Sequence, residues 1–228
     1  MRWAQLRIRT SEELVSAEGR LRLTQSLLRH IVVRVISENP IDPAAISAIA
    51  RELGDPPAFV GVPAVPGHEI IGDFSARAKL DDGRPRKRAA TEALHQDVGI
   101  GGLSAYSILH TRDVPPIRPM RWASMRSAYA SLTDEVKDRI GALRAVHSSG
   151  PDRADGPRRP LVLAHPRTGE PVLHLPLRRD AAIENVGDPE GETLIRRLWD
   201  AVEGSSACYE HVLDLTASGA DTRQRRRY

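Results

Sequence analysis

Leu94-His95-Gln96-Asp97-Val98-Gly99-Ile100 is the stretch from which the rest of the chain is best read. In an extended segment successive side chains alternate, so residues two apart leave the backbone on the same side. The imidazole of His95 and the carboxylate of Asp97 are thereby able to converge on one ion. One nitrogen and one hard oxygen from such a pair, completed by a distant histidine, make the facial triad of non-haem iron(II) chemistry and leave positions open for oxygen and substrates. H-x-D triplets also recur in ordinary loops, so the surroundings of this one carry the weight.

Upstream, residues 12–29 read as a helix with Leu14, Leu21, Leu23, Leu27 and Leu28 at its apolar positions, followed by a β-branched run, 30–36, that suits a buried strand. Asp42-Pro43 predicts a capped helix start, its helix running through Ile46, Ile49 and Leu53 to Gly54. The proline- and glycine-rich residues 55–67 predict a loop, 68–74 a strand and 76–90 a basic loop. Downstream, 104–109 reads as a strand, 124–132 and 133–143 as a helix pair with Thr133 capping the second, and 144–147 as a short strand. Residues 161–164 and 171–175 bracket a turn and predict a hairpin. Asp188-Pro189 repeats the capped start, with Leu194, Ile195, Leu198 and Val202 as the buried face, and 209–215 is a last strand. No period of 20 to 50 residues repeats. The pattern is α+β, a sheet or barrel with helices packed outside, in one domain over 1–228 with a basic tail from about 216.

This ordered series resembles the taurine dioxygenase (TauD/TfdA-like) family. Its members read W-H-x-D-(V/L)-(S/T)-(F/Y), then a strand ending near (V/L)-P, a G-G-D-T turn, a helix pair and G-L-(R/K)-x-x-H. Here the counterparts are Leu94 to Ile100, Ala105-Tyr-Ser-Ile-Leu109 with Asp113-Val-Pro-Pro116, the helices from Trp122 to Ile140, and Gly141-Ala-Leu-Arg-Ala-Val-His147. Pro160 to Gly169 is similar to the family's H-P-x-T-G hairpin, and 29–37 with 67–71 match its early strands. The resemblance implies a double-stranded β-helix core (a jelly-roll of the clavaminate-synthase-like kind) with flanking helices. It also implies Fe(II) held by His95 and Asp97, with 2-oxoglutarate as cosubstrate. The implied reaction couples oxidative decarboxylation of 2-oxoglutarate to hydroxylation of an aliphatic C–H in a small molecule, an amino acid or specialised metabolite.

Three departures from the family pattern stand beside it. The family's second histidine ligand follows the H-x-D pair by roughly 150 residues, whereas 133 residues follow His95 here. His211, the last histidine, falls before the expected position and is the one candidate for the third ligand, so the jelly-roll reads as incomplete at its C-terminal end. Ile117-Arg-Pro-Met-Arg121 stands where the G-G-D-T turn would be. The arginine that binds the distal carboxylate of 2-oxoglutarate has candidates only in Arg225, Arg226 and Arg227, whose guanidinium groups suit bidentate capture but also suit a solvated tail. His68, heading a strand near the expected pocket mouth, is a candidate substrate contact. His147 and His165 match structural positions, and His174 reads as a satisfied core or surface residue. These departures leave a second reading, a catalytically impaired or remnant member acting as a binding or interaction protein.

Composition narrows the field further. Forty per cent hydrophobic and 28% charged residues suit a folded globular chain. No apolar run reaches membrane-spanning length, and the first ten residues carry no signal-peptide core, which predicts a cytoplasmic protein. Cys208 is the single cysteine, which excludes an internal disulfide and a thiolate zinc cluster. Arginine is concentrated at 84–88 and 223–227, but aromatics are 4% of residues and none interleaves with the first cluster, which disfavours a nucleic-acid partner. The sequence leaves oligomeric state and substrate open.

Overall fold

The computed structural model describes residues 4–30, 32–58, 63–74, 94–96, 98–99, 102–103, 106–111, 119–147, 156–165, 168–178, 182–204 and 208–212. They fall into two units, one holding the described residues of 4–74 with 99–111 and Val212, the other those of 94–98 and 119–211.

In the first unit, β1 (Ala4–Ile8) pairs in parallel with β2 (Val33–Ser37), in register from Ala4 opposite Val33 to Ile8 opposite Ser37. Between them the predicted single helix is two, α1 (Ser11–Val15) and α2 (Ala17–Arg29). The break has a local cause. Ser16 takes an extended conformation (ψ 159°) and its hydroxyl accepts from the Gly19 amide, so it starts a new helix where helical periodicity alone continues the old one. Gly19 is required at this corner, because a Cβ there would lie 2.1 Å from the Glu13 carbonyl oxygen.

The helix α3 (Pro43–Leu53) lies where Asp42-Pro43 places it. Asp42 accepts from the Ala44 amide, Pro43 occupies the first turn, and Gly54 ends the helix. Ile8, Leu14, Leu23 and Ile49 form the buried cluster of this unit. The short strand β3 (Ala64–Val65) pairs antiparallel with β4 (His68–Gly72), and β5 (Val98–Gly99) and β6 (Gly102–Leu103) follow along the chain. The strand expected over 104–109 is not formed by its described part: Tyr106 to Leu109 has no strand structure, and Ile108 and Leu109 are exposed. A β-branched and aromatic composition cannot hold a strand without a sheet to join. The basic loop expected at 76–90 lies outside the described residues.

In the second unit, β7 (Pro119–Ala123) pairs with β13 (Cys208–Val212). Then come α4 (Met125–Ala130), capped by Ser124, and α5 (Asp134–Gly141), capped by Thr133. A three-stranded antiparallel sheet has β8 (Arg144–Val146) at its centre, flanked by β9 (Arg158–Pro160) and β12 (Ala182–Ile183). The predicted hairpin is present as β10 (Val162–Ala164) against β11 (Pro171–Leu173), with Val162 opposite Leu173.

The last helix, α6 (Asp188–Gly204), buries Gly191, Leu194, Ile195, Leu198, Trp199 and Val202. It begins at Asp188 itself: the Glu190 and Gly191 amides donate to the Gly187 carbonyl, so Asp188 lies in the first turn instead of capping it. Its carboxylate still favours the positive end of the helix dipole. Trp199 is 1% exposed and its Nε1–H donates to the Pro176 carbonyl at 2.9 Å, which satisfies the indole inside an otherwise apolar cluster.

Candidate functional site

Leu94, His95 and Gln96 belong to the second unit. Leu94 is half-buried and packs against the main core cluster; Gln96 is half-buried as well, and His95 between them is exposed. Leu94 and Gln96 thus anchor the segment on either side of the exposed His95.

Gln96 is held at both ends of its amide. Its Nε2 donates to the Leu173 carbonyl at 3.3 Å, and its Oε1 accepts from the Leu175 amide at 2.7 Å. A strand lying parallel to another bonds the carbonyl and the amide on either side of one residue, here His174; the Gln96 side chain makes that same pair of bonds. It satisfies the backbone of residues that are themselves nearly fully buried, Leu173 at 0% and Leu175 at 1% exposure. The sequence reading passed over Gln96 as the spacer of the H-x-D triplet. The available signal was its chemistry: a side-chain amide carries both a donor and an acceptor and can bond the backbone of another segment.

Beside this amide lies a second polar feature. The rings of His147 and His174 stack with centroids 4.3 Å apart and planes 15° from parallel. His174 Nδ1 lies 3.3 Å from the Pro160 carbonyl, which suits a proton on that nitrogen. Among the described residues Nε2 of each ring is buried without a hydrogen-bond partner, so His174 is a core residue but not a fully satisfied one. Burial, then the neighbouring imidazole, then Arg159 hold His147 down to a pKa of about 4. His174 is lowered too, mainly by burial and further by Arg159, against the opposing Pro160 contact. Both rings are neutral near pH 7, which suits a structural pair.

The other expected residues are distributed as follows. Asp97 and Arg225, Arg226 and Arg227 lie outside the described residues, as does the side chain of His211, whose backbone is in β13. His68 belongs to the first unit, where its Nδ1 lies 3.1 Å from the hydroxyl of Ser47, a buried residue of α3. His165 organises the β10–β11 turn: its Nδ1 accepts from the Thr168 amide and its carbonyl from that of Gly169. Among the described residues no group of three His, Cys, Asp or Glu side chains is placed to hold a metal ion. Of the expected ligand pair only His95 is among the described residues; it is an exposed residue, and its imidazole has the chemistry that an N,O site takes.

Solved structures share this fold. A taurine dioxygenase from Burkholderia xenovorans matches with a TM-score of 0.60 at 20% identity, covering 95% of this chain and 75% of its own. AAD-2, solved in complex with Mn(II) and N-oxalylglycine, matches with a TM-score of 0.67 at 19% identity, over 94% of this chain and 84% of its own. No curated protein matches the sequence significantly. The architecture is therefore that of the taurine-dioxygenase-like proteins, an α+β fold. The family model described as taurine catabolism dioxygenase TauD, TfdA family, matches residues 4–214, and the chain belongs to that family of α-ketoglutarate-dependent dioxygenases.

Proposed function

We propose that this protein is an Fe(II)- and 2-oxoglutarate-dependent dioxygenase that hydroxylates an aliphatic C–H of a small molecule, an amino acid or specialised metabolite. The observation that carries the reading is the family match over 4–214 together with an exposed His95 in its H-x-D triplet. The described residues of both units fall within that match, which supports reading them as one dioxygenase-like domain built on a jelly-roll core. Among the described residues no helix is long and apolar enough to cross a membrane, in keeping with a cytoplasmic enzyme of small molecules.

His95 and Asp97 would hold the iron, with His211 the candidate for a third ligand. Iron with 2-oxoglutarate supplies, when bound, the oxidising chemistry that side chains lack. The chain's own part is to present a neutral imidazole and an ionised carboxylate and to orient the substrate. His68 is the candidate for a substrate contact. Arg225, Arg226 and Arg227 are the candidates for the distal carboxylate of 2-oxoglutarate, which a guanidinium binds through two parallel hydrogen bonds.

Anaerobic titration of the protein with Fe(II) and 2-oxoglutarate tests this. A weak visible charge-transfer band is expected, and His95→Ala should abolish it. A folded protein that gives no band, and whose melting temperature is unmoved by both additions, would instead be a binding or interaction member of the family.

A further inference from the structure

We infer that Gln96 is a positioning residue, whose side-chain amide holds the segment that carries His95. The inference rests on the assignment of His95 and Asp97 as iron ligands and adds to it the means by which the segment bearing His95 is held. Gln96 follows His95 directly in the chain, so the orientation of its backbone constrains that of His95. That orientation is fixed by two bonds of complementary polarity, Nε2–H to the Leu173 carbonyl and the Leu175 N–H to Oε1.

The receiving backbone is rigid. Leu173, His174, Leu175 and Pro176 are all buried, and Val162 and Leu173 are paired across the β10–β11 hairpin. A rotation of the segment would leave a buried carbonyl and a buried amide without partners, each costly to expose to an apolar interior. Both the donor and the acceptor are therefore needed. A leucine supplies neither. A carboxylate keeps the bond from Leu175 but sets a second acceptor against the Leu173 carbonyl. Asparagine, one methylene shorter, cannot span both. Groups that orient metal ligands typically change metal affinity 10- to 100-fold when removed.

The test is calorimetric titration of the full chain with Mn(II) in the presence of 2-oxoglutarate, comparing wild type, H95A, Q96L, Q96E and I195A. The expected result is binding by wild type, loss of binding in H95A, and affinity weakened about tenfold or more in Q96L. Q96E should fall between wild type and Q96L. The I195A variant, which opens the same core without touching the amide, should lose stability and keep its Mn(II) affinity. If Q96L does not fold, Q96E carries the comparison.

Affinities for Q96L and Q96E within twofold of wild type, with H95A inactive in binding, would overturn the role of Gln96 and leave the ligand pair standing. Equal weakening in I195A would overturn it also, by showing that lost stability alone accounts for the effect. Absence of binding by folded wild type would remove the ligand pair itself, and the positioning role with it.

Discussion

In the unit that holds His95, twelve described residues from Ala128 to Val202 form one buried cluster; in the other unit four do, Ile8, Leu14, Leu23 and Ile49. The first can fix a side chain by packing alone, because burial on this scale removes whole aromatic and leucine side chains from water. The second has less apolar area to work with and leans on local devices: the caps at Thr10, Ser16 and Asp42, the close helix corner at Gly19, and hydrogen bonds such as Ser47 to His68. Among its described residues the ion pairs of Arg20 with Glu52 and Arg22 with Glu13 are exposed and contribute little. The lesson is that a precise polar arrangement, the Gln96 amide, is placed against the better-packed of the two.

Substitutions can break this contrast at either end. The largest effect is expected from Trp199→Ala, which removes a buried ring and orphans the Pro176 carbonyl; denaturant unfolding should show a loss of about 3–5 kcal/mol. In the thinner unit, Gly19→Ala should be destabilising by roughly 2–3 kcal/mol despite alanine's higher helix propensity, since the new Cβ collides with the Glu13 carbonyl. Thermal melts in which this variant gained stability would show that the corner relaxes freely.

The histidine pair sharpens the comparison by pH. His147 titrates near 4 in the folded chain against 6.5 for an unperturbed histidine, so the unfolded state takes up its proton first. Stability from this group is full above about pH 6.5 and is lost as pH falls toward 4. Between pH 7 and 5 it amounts to about 2 kcal/mol. His174 acts in the same direction. Urea titrations at the two pH values should show a smaller difference for H147F, which keeps a stacked ring without the titration. The smallest effect is expected for Asp42→Ala, about 1 kcal/mol from the lost cap of α3, read as a shift in urea midpoint with an unchanged slope.

Local signals were legible wherever the physics is local. The bounds of α3, the Thr133 cap, the hairpin with its turn and the buried face of α6 all follow from residues within a few positions of one another. What escaped was decided at a distance or by competition between signals. The strand β1 alternates apolar and polar residues but becomes a strand only by pairing with β2 nearly thirty residues on, at Ala4 opposite Val33. The strand β7 likewise depends on β13. Leucine periodicity hid the break at Ser16, and a β-prone composition at 106–109 lacked a sheet to join. For the site, the triplet pointed to His95. The bonds of Gln96 to residues 173 and 175 cross 77 and 79 positions, which no spacing rule reaches.

The outer strand β9 has a consequence for how the molecule behaves among its own copies. It consists of Arg158, Arg159 and Pro160, and among the described residues it is the rim of the sheet whose centre is β8. Proline offers no amide to an incoming strand, and two adjacent guanidinium groups would have to meet their like in any second copy laid alongside. Arg158 is in addition drawn to Glu184, which also reaches Arg144 on β8. A rim so composed resists growing into intermolecular sheet, so self-association by strand addition is discouraged there by the sequence itself.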